Sequence, residues 1–277
     1  MTAAQVHSVL AGGVSDPRRL AEWAANPQAL RALGVDPASL DLPALRGFAG
    51  LALKVRHNGL RDAFMHSFRL LRVAGLEIEV FADYALARAD SGMALAATDA
   101  ARARALVDFV GQWHDPGRAT QALLWDLLRH EHALFELRQP AATEATMPVP
   151  VARSSIAPTP GAAMRVRGAV RLHEMRHDPG AIVSALGQRT PDLTAIVPAP
   201  RALCYWRPPG DAAVSVLELD AFGFAALQAA EGGRRIRELS VALGLGARVP
   251  AGVRALLMQL QRAGLLSFER QPRNASR

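Results

Sequence analysis

The sequence has one cysteine, one lysine, few aromatic residues and no long apolar run, and each scarcity narrows what the chain can be. Cys204 alone makes neither an intramolecular disulfide nor a cysteine-rich zinc site, and it reads as a small buried hydrophobe in a strand. Arginine or aspartate interrupts every apolar stretch well short of the ~18 residues a spanning helix needs, so no membrane partner or membrane span is expected. The opening MTAAQVHSVLAGGVSDPRR has no basic start and no long apolar segment, so no signal peptide is expected and a cytoplasmic location is. Phosphate loop, nucleophile elbow, Cys–His pairing and dinucleotide fingerprint are all missing. An enzyme acting alone is therefore not the expectation.

What is present fits a folded protein. The 277 residues correspond to about two domains at roughly 150 residues each, and 50% apolar with 21% charged residues suits buried cores. Lys54 is the only lysine, so nearly all of the 32 basic residues are arginine, and the net charge is +7. A positive surface attracts acidic partners, and the guanidinium fork suits carboxylate and phosphate. Nucleic acid and an acidic protein or peptide are both open.

The spacing predicts an all-helical bundle over 1–140, a proline-rich linker over 141–164 and an α+β domain over 165–277. In the first part, Ser15-Asp16-Pro17 reads as a helix start after a short helix that stops at Gly12-Gly13. Leu42, Leu45, Phe48, Leu51, Leu53 and Val55, resuming at Leu60, Phe64, Phe68 and Leu71, keep one face apolar. Gly75 ends that run, Thr98 or Asp99 caps a further helix, and Leu123 to Leu137 supply a last one, for about six helices in all. The linker QPAATEATMPVPVARSSIAPTPG has no apolar period. Beyond it, strand-like runs at 195–197, 202–206 and 213–219 alternate with proline-rich turns.

The C-terminal stretch parses into strand, three helices and a closing strand. Asp220 can cap the first helix, Gly232-Gly233 ends it, and the last helix runs through Val253, Leu256, Leu257 and Leu260 to Gly264 before Leu265, Leu266 and Phe268. This is a winged-helix pattern. The spacing from Leu219 through Leu227, Gly232, Gly233, Ile236, Glu238 and Leu239, with the ending LxxLxxAGLL at 257–266, resembles the PqqD-like peptide recognition element of ribosomal-peptide maturation systems. A wider resemblance rests on Arg56-His57-Asn58, the segment from Phe64 to Phe68-Arg69-Leu70-Leu71, Leu128-Arg129-His130-Glu131-His132-Ala133, a proline-rich connection and an α+β tail. Together these are similar to the HvfC-like partner subunits of TIM-barrel multinuclear-iron oxygenases, whose helical half carries the label of a DNA-binding domain. The resemblance implies a non-catalytic accessory subunit, with iron held by the partner enzyme and no cofactor in this chain.

Three clusters invite chemistry. His173-Glu174-Met175-Arg176-His177 spells H-E-x-x-H, a zinc-hydrolase signature when helical; Asp178-Pro179-Gly180 reads as a turn, and Val166, Val170 and Leu172 allow a strand, which would send successive side chains to opposite faces. Asp126, His130, Glu131 and His132 occupy the last bundle helix, where the polar residues read as its outer or partner-facing side, and Asp126 with His130, four residues apart, could alternatively turn two metal ligands the same way. Arg56, His57, Asn58, Arg61, Arg69 and Arg72 recur along one helical region, as a solvated face or a docking face for an acidic partner or phosphates. The leading expectation is a recognition subunit that binds a precursor peptide through Val214, Val216, Leu217, Val253, Arg254, Leu257 and Gln261, by strand addition near 214–217, with Arg234 and Arg235 beside Arg254 selecting acidic residues. Arg56, His57, Asn58, Arg69, Arg72, His130 and His132 are then the residues that dock on a metal-dependent peptide-modifying enzyme. The alternative is a winged-helix transcriptional regulator reading DNA with the helix that carries Arg254, Gln259, Gln261 and Arg262. A third is a zinc hydrolase at His173, Glu174 and His177.

Overall fold

Capping side chains and prolines set the helix starts in the N-terminal half. The computed structural model describes residues 3–92, 94, 96–139, 157–246 and 249–269. Eight α-helices precede residue 140 among them: α1 (Ala3–Ser15), α2 (Pro17–Ala25), α3 (Pro27–Ala32), α4 (Leu42–Arg56), α5 (Met65–Val73), α6 (Glu77–Asp90), α7 (Asp99–Trp113) and α8 (Ala119–Arg138). Asp16 accepts from the Arg18 amide ahead of Pro17, and Thr98 accepts from the Ala101 amide at the start of α7, so two start signals act as the spacing predicts. Gly75 takes φ +69° just after α5, the left-handed geometry that ends a helix.

Two features differ from the spacing argument. Gly12-Gly13 lies inside α1 and does not end it, because a Cβ at Gly13 would come within 2.7 Å of the Trp23 ring on α2; the glycine serves close packing. The apolar run from Leu42 to Leu71 is also not continuous, since α4 and α5 are separated at 57–64 by a short 3-10 turn, Asn58–Leu60. Along α4 the buried positions are Ala49, Gly50 and Leu53, whereas Phe48, Leu51 and Val55 face outward.

The remaining elements are β1 (Ala163–Val166), β2 (Ala169–Met175), α9 (Pro179–Gly187), β3 (Arg201–Arg207), β4 (Ser215–Leu219), α10 (Ala221–Glu231), α11 (Ile236–Ala242), α12 (Ala251–Arg262) and β5 (Leu266–Glu269). The fold is therefore mixed, with helices and small antiparallel sheets. Pro179 is the first residue of α9 and not part of an isolated turn, as its fixed φ and missing N–H suit that position. Most of the proline-rich segment, residues 140–156, lies outside the described residues.

The chain divides into two compact units, Met1–His132 with Pro179–Ile196, and Ala133–Asp178 with Val197–Arg277. In the first, α4 packs on α6 and α9 packs on α5, with Leu30, Leu60, Phe64, Phe81, Tyr84 and Leu127 fully buried. In the second, β2, β3 and β4 form an antiparallel sheet in that order, and β1 pairs with β5. Alternation divides the three-stranded sheet between two cores. Val170, Leu172, Cys204, Trp206, Leu217 and Leu219 join Leu227, Leu239, Leu257 and Phe268 on one face, while Met175, Leu203 and Tyr205 meet Ala133 and Leu137 on the other. Among the described residues no helix is long and apolar enough to cross a membrane.

Candidate functional site

In the second unit the informative feature is an edge. Among the described residues, sheet order leaves β4 with a partner on one side only, since it pairs with β3 through Tyr205 opposite Val216 and Cys204 opposite Leu217. An outer edge of this kind offers unpaired backbone N–H and C=O groups to an incoming strand. Leu217 and Leu219 turn inward to the helical core, and Val216 projects from the opposite face, 42% exposed. Val214, just before the strand, is half-buried against the cluster holding Met175 and Tyr205. Asp220 then caps α10 by accepting from the Gly223 amide at 2.6 Å, so the strand passes directly into a helix with its end fixed.

The helical residues assigned to peptide contact separate into two groups. Val253 and Leu257 are core residues, with Leu257 wholly buried, and neither can touch a peptide in this arrangement; the 3.6-residue period that puts them on the apolar face turns Arg254 outward. Arg254 is exposed and Gln261 half-exposed. The helix packed on β4 is α10, while α12 packs on β5. Arg234 is exposed beside the α10–α11 turn, where Gly233 takes φ +64°, and the backbone amide of Arg235 donates to the Glu238 carboxylate at 3.0 Å.

The H-E-x-x-H segment is not helical. His173 and Glu174 sit on β2 and point to opposite faces, as strand alternation requires. His173 stands edge-on to Tyr205 with centroids 5.7 Å apart, and His177, beyond the strand, is buried. The helical presentation that places two imidazoles on one face does not form. Among the described residues no three His, Cys, Asp or Glu side chains are gathered where they could hold a metal ion. Cys204 is wholly buried on β3, and burial pushes its thiol up to about 12, far from a reactive thiolate.

In the helical unit, the residues read as a docking face do not share one surface role. Arg56, Asn58, Arg69 and Arg72 are exposed, and Arg69 donates to the Gln188 carbonyl at 3.4 Å. His57 is wholly buried instead. Its Nδ1 lies 2.9 Å from the Leu53 carbonyl, and its ring packs against Phe81 and Tyr84 at 5.9 and 5.5 Å. Burial holds its pKa below the usual histidine value, and Arg88 and Arg102 push the same way. His57 is the C-cap of α4, and its ring contacts make it a core residue.

The polar cluster on α8 is also structural in part. Glu131 is buried and accepts from the backbone amides of His66 and Ser67, both at 2.9 Å. Its carboxylate thereby satisfies open N–H groups at the start of α5 and complements that helix dipole. Asp126 is buried and accepts from Arg129 at 2.8 Å. Both face inward, contrary to the reading of these residues as an outer side, because each finds a donor there. His130 and His132 are half-buried, and His132 stacks on Phe64 with centroids 6.3 Å apart.

Two concavities flank α4. One, of about 500 Å³, is lined mainly by apolar residues such as Leu20, Leu42, Ile78 and Ala82, with the Arg46–Asp83 ion pair at its rim. The other, of about 450 Å³, is more polar and brings Arg18, Arg56 and Arg88 from α2, α4 and α6 to one cleft. No sequence spacing joins these three arginines, so only Arg56 could be singled out from the sequence. No family model matches the chain, and no curated protein matches it.

Proposed function

We propose that this protein is a non-catalytic recognition subunit: its second unit holds a ribosomally made precursor peptide, and its helical unit docks on a metal-dependent enzyme that modifies the peptide. The observation that carries this reading is the half-partnered strand β4, with exposed Val216 on it. A peptide adding as a fourth strand would gain affinity from backbone pairing and specificity from alternate side chains. Arg254 and Arg234, both exposed, are the groups available to select acidic residues by charge-assisted hydrogen bonds. The order of strand, three helices and closing strand supports a winged-helix reading, and the resemblance to PqqD-like elements and HvfC-like subunits belongs to this proposal. Iron is then the partner's cofactor.

The test uses the full chain, tagged and recovered from nuclease-treated native lysate, beside a Val216→Lys variant. The expected result is a small peptide and a large iron-containing protein with the wild type, and loss of the peptide alone with Val216→Lys. Equal peptide recovery by both would contradict the edge as the binding element.

A winged-helix regulator is the second reading, favoured by the exposure of Arg254, Gln259 and Arg262 on α12. Duplex DNA binding that falls steeply with salt would support it.

A further inference from the structure

We infer that the polar cleft between α2, α4 and α6 is a carboxylate site that takes the acidic side chains of a polypeptide segment. This specifies the chemistry of the docking half of the proposed function and rests on that half. The cleft, of about 450 Å³, is walled by Arg18, Arg56 and Arg88, against a single acidic wall residue, Asp16. Apolar side chains, among them Ala52, Leu53 and Ala85, line the rest of it, and Arg18 and Arg56 are exposed. Arg56 is exposed at the last turn of α4, and among the described residues it has no carboxylate partner. Arg18 is engaged by Asp16 at 2.9 Å yet keeps 55% of its side chain exposed.

Two features select carboxylate on a polypeptide over phosphate. Phosphate sites draw on open backbone N–H groups at a helix start, but at α2 Asp16 already accepts from the Arg18 amide, and Pro17 has no N–H. The Asp16 carboxylate also repels a dianion more than a monoanion. The outer face of α4 carries Phe48, Leu51 and Val55, the last next to Arg56 in sequence, with Phe48 59% and Val55 63% exposed. A segment with acidic residues beside apolar ones covers both surfaces; a free anion covers only one.

The experiment is fluorescence anisotropy on the full chain, with fluorescein-labelled hexaglutamate as the probe and labelled hexaglutamine as the uncharged control. Hexaglutamate is expected to bind, weakening as salt rises, and hexaglutamine not to bind. Arg56→Gln is expected to weaken hexaglutamate about tenfold with an unchanged far-ultraviolet spectrum, since among the described residues Arg56 bonds no other side chain. Arg31→Gln, exposed on α3 and outside the cleft, is expected to leave it unchanged. Equal affinity for wild type and Arg56→Gln would overturn the site, as would an equal loss in Arg31→Gln. Displacement by inorganic phosphate at lower concentration than by acetate would overturn the choice of carboxylate. None of these outcomes depends on the β4 edge, so failure here is separable from failure of peptide binding in the second unit.

Discussion

Replacing Gly50 by alanine tests the packing that positions α4, the helix whose outer side carries the cleft and the apolar stripe. A Cβ at Gly50 would lie 2.6 Å from the backbone nitrogen and 2.9 Å from the Cα of Ala82, and 3.0 Å from the Phe81 carbonyl carbon. These are backbone atoms of α6 and cannot rotate away, so the two helices must part by roughly 1 Å to restore ordinary contact. Overpacking of a core costs about 1–3 kcal/mol, and rigid obstruction places this case near the top of that range. Alanine regains about 1 kcal/mol of helix propensity over glycine. The net expectation is a loss of about 2 kcal/mol, read as a urea midpoint lowered by about 1 M at a slope of about 2 kcal/mol per molar. Gly12→Ala provides the contrast, because there the new Cβ meets only the tip of the Arg19 side chain at 3.2 Å, and a small gain in stability is expected. Gly50→Ala as stable as the wild type would refute the close α4–α6 seam.

Three further outcomes follow from the buried polar and thiol groups. His57 is held neutral by burial, with its pKa below the ordinary 6.5, so the unfolded chain takes up a proton first as pH falls. Stability contributed by this residue is full above the unfolded pKa and lost as pH drops below about 6.5, at no more than about 1.4 kcal/mol per pH unit; denaturant titrations at pH 7.5 and 5.5 should show the loss in the wild type and less of it in His57→Phe. Glu131→Ala removes the acceptor for two amides of α5, the Ser67 amide buried and the His66 amide half-buried, and should cost about 1–3 kcal/mol by urea unfolding, with an effect near zero counting against the cap. Cys204, wholly buried with its thiol pushed up to about 12, should resist iodoacetamide in the native protein and react after unfolding, and rapid native labelling would contradict its placement.

Local signals in the sequence carried to the structure where one residue acts on its neighbours. Asp16, Thr98 and Asp220 cap the helices they precede, and Gly75 follows the end of α5. Periodicity was less informative on α4, where apolar residues occupy both sides: Leu53 is buried while Phe48 and Val55 are not. A chain rich in alanine and glycine can seat a helix through its small residues, as Gly50 does against Ala82, and hydrophobic patterning does not register that kind of contact. Glu131 and His57 looked like surface chemistry because their partners, the His66 and Ser67 amides and the Phe81 and Tyr84 rings, come from other elements. The membership of α9 in the helical unit was equally hidden, since its buried Ile182 and Leu186 would suit either core. For the site, alternation along 213–219 pointed to an available strand, but only the sheet order reveals that β4 is an edge.

The proposed role as one subunit of a peptide-modifying complex is open to native mass spectrometry of the protein recovered from its own lysate at moderate salt, with iron measured on the same fraction. A complex of defined stoichiometry that contains this chain and an iron-bearing enzyme is expected, with a peptide released on Val216→Lys substitution. Recovery of this chain alone, or with DNA fragments lost as salt rises, would contradict it.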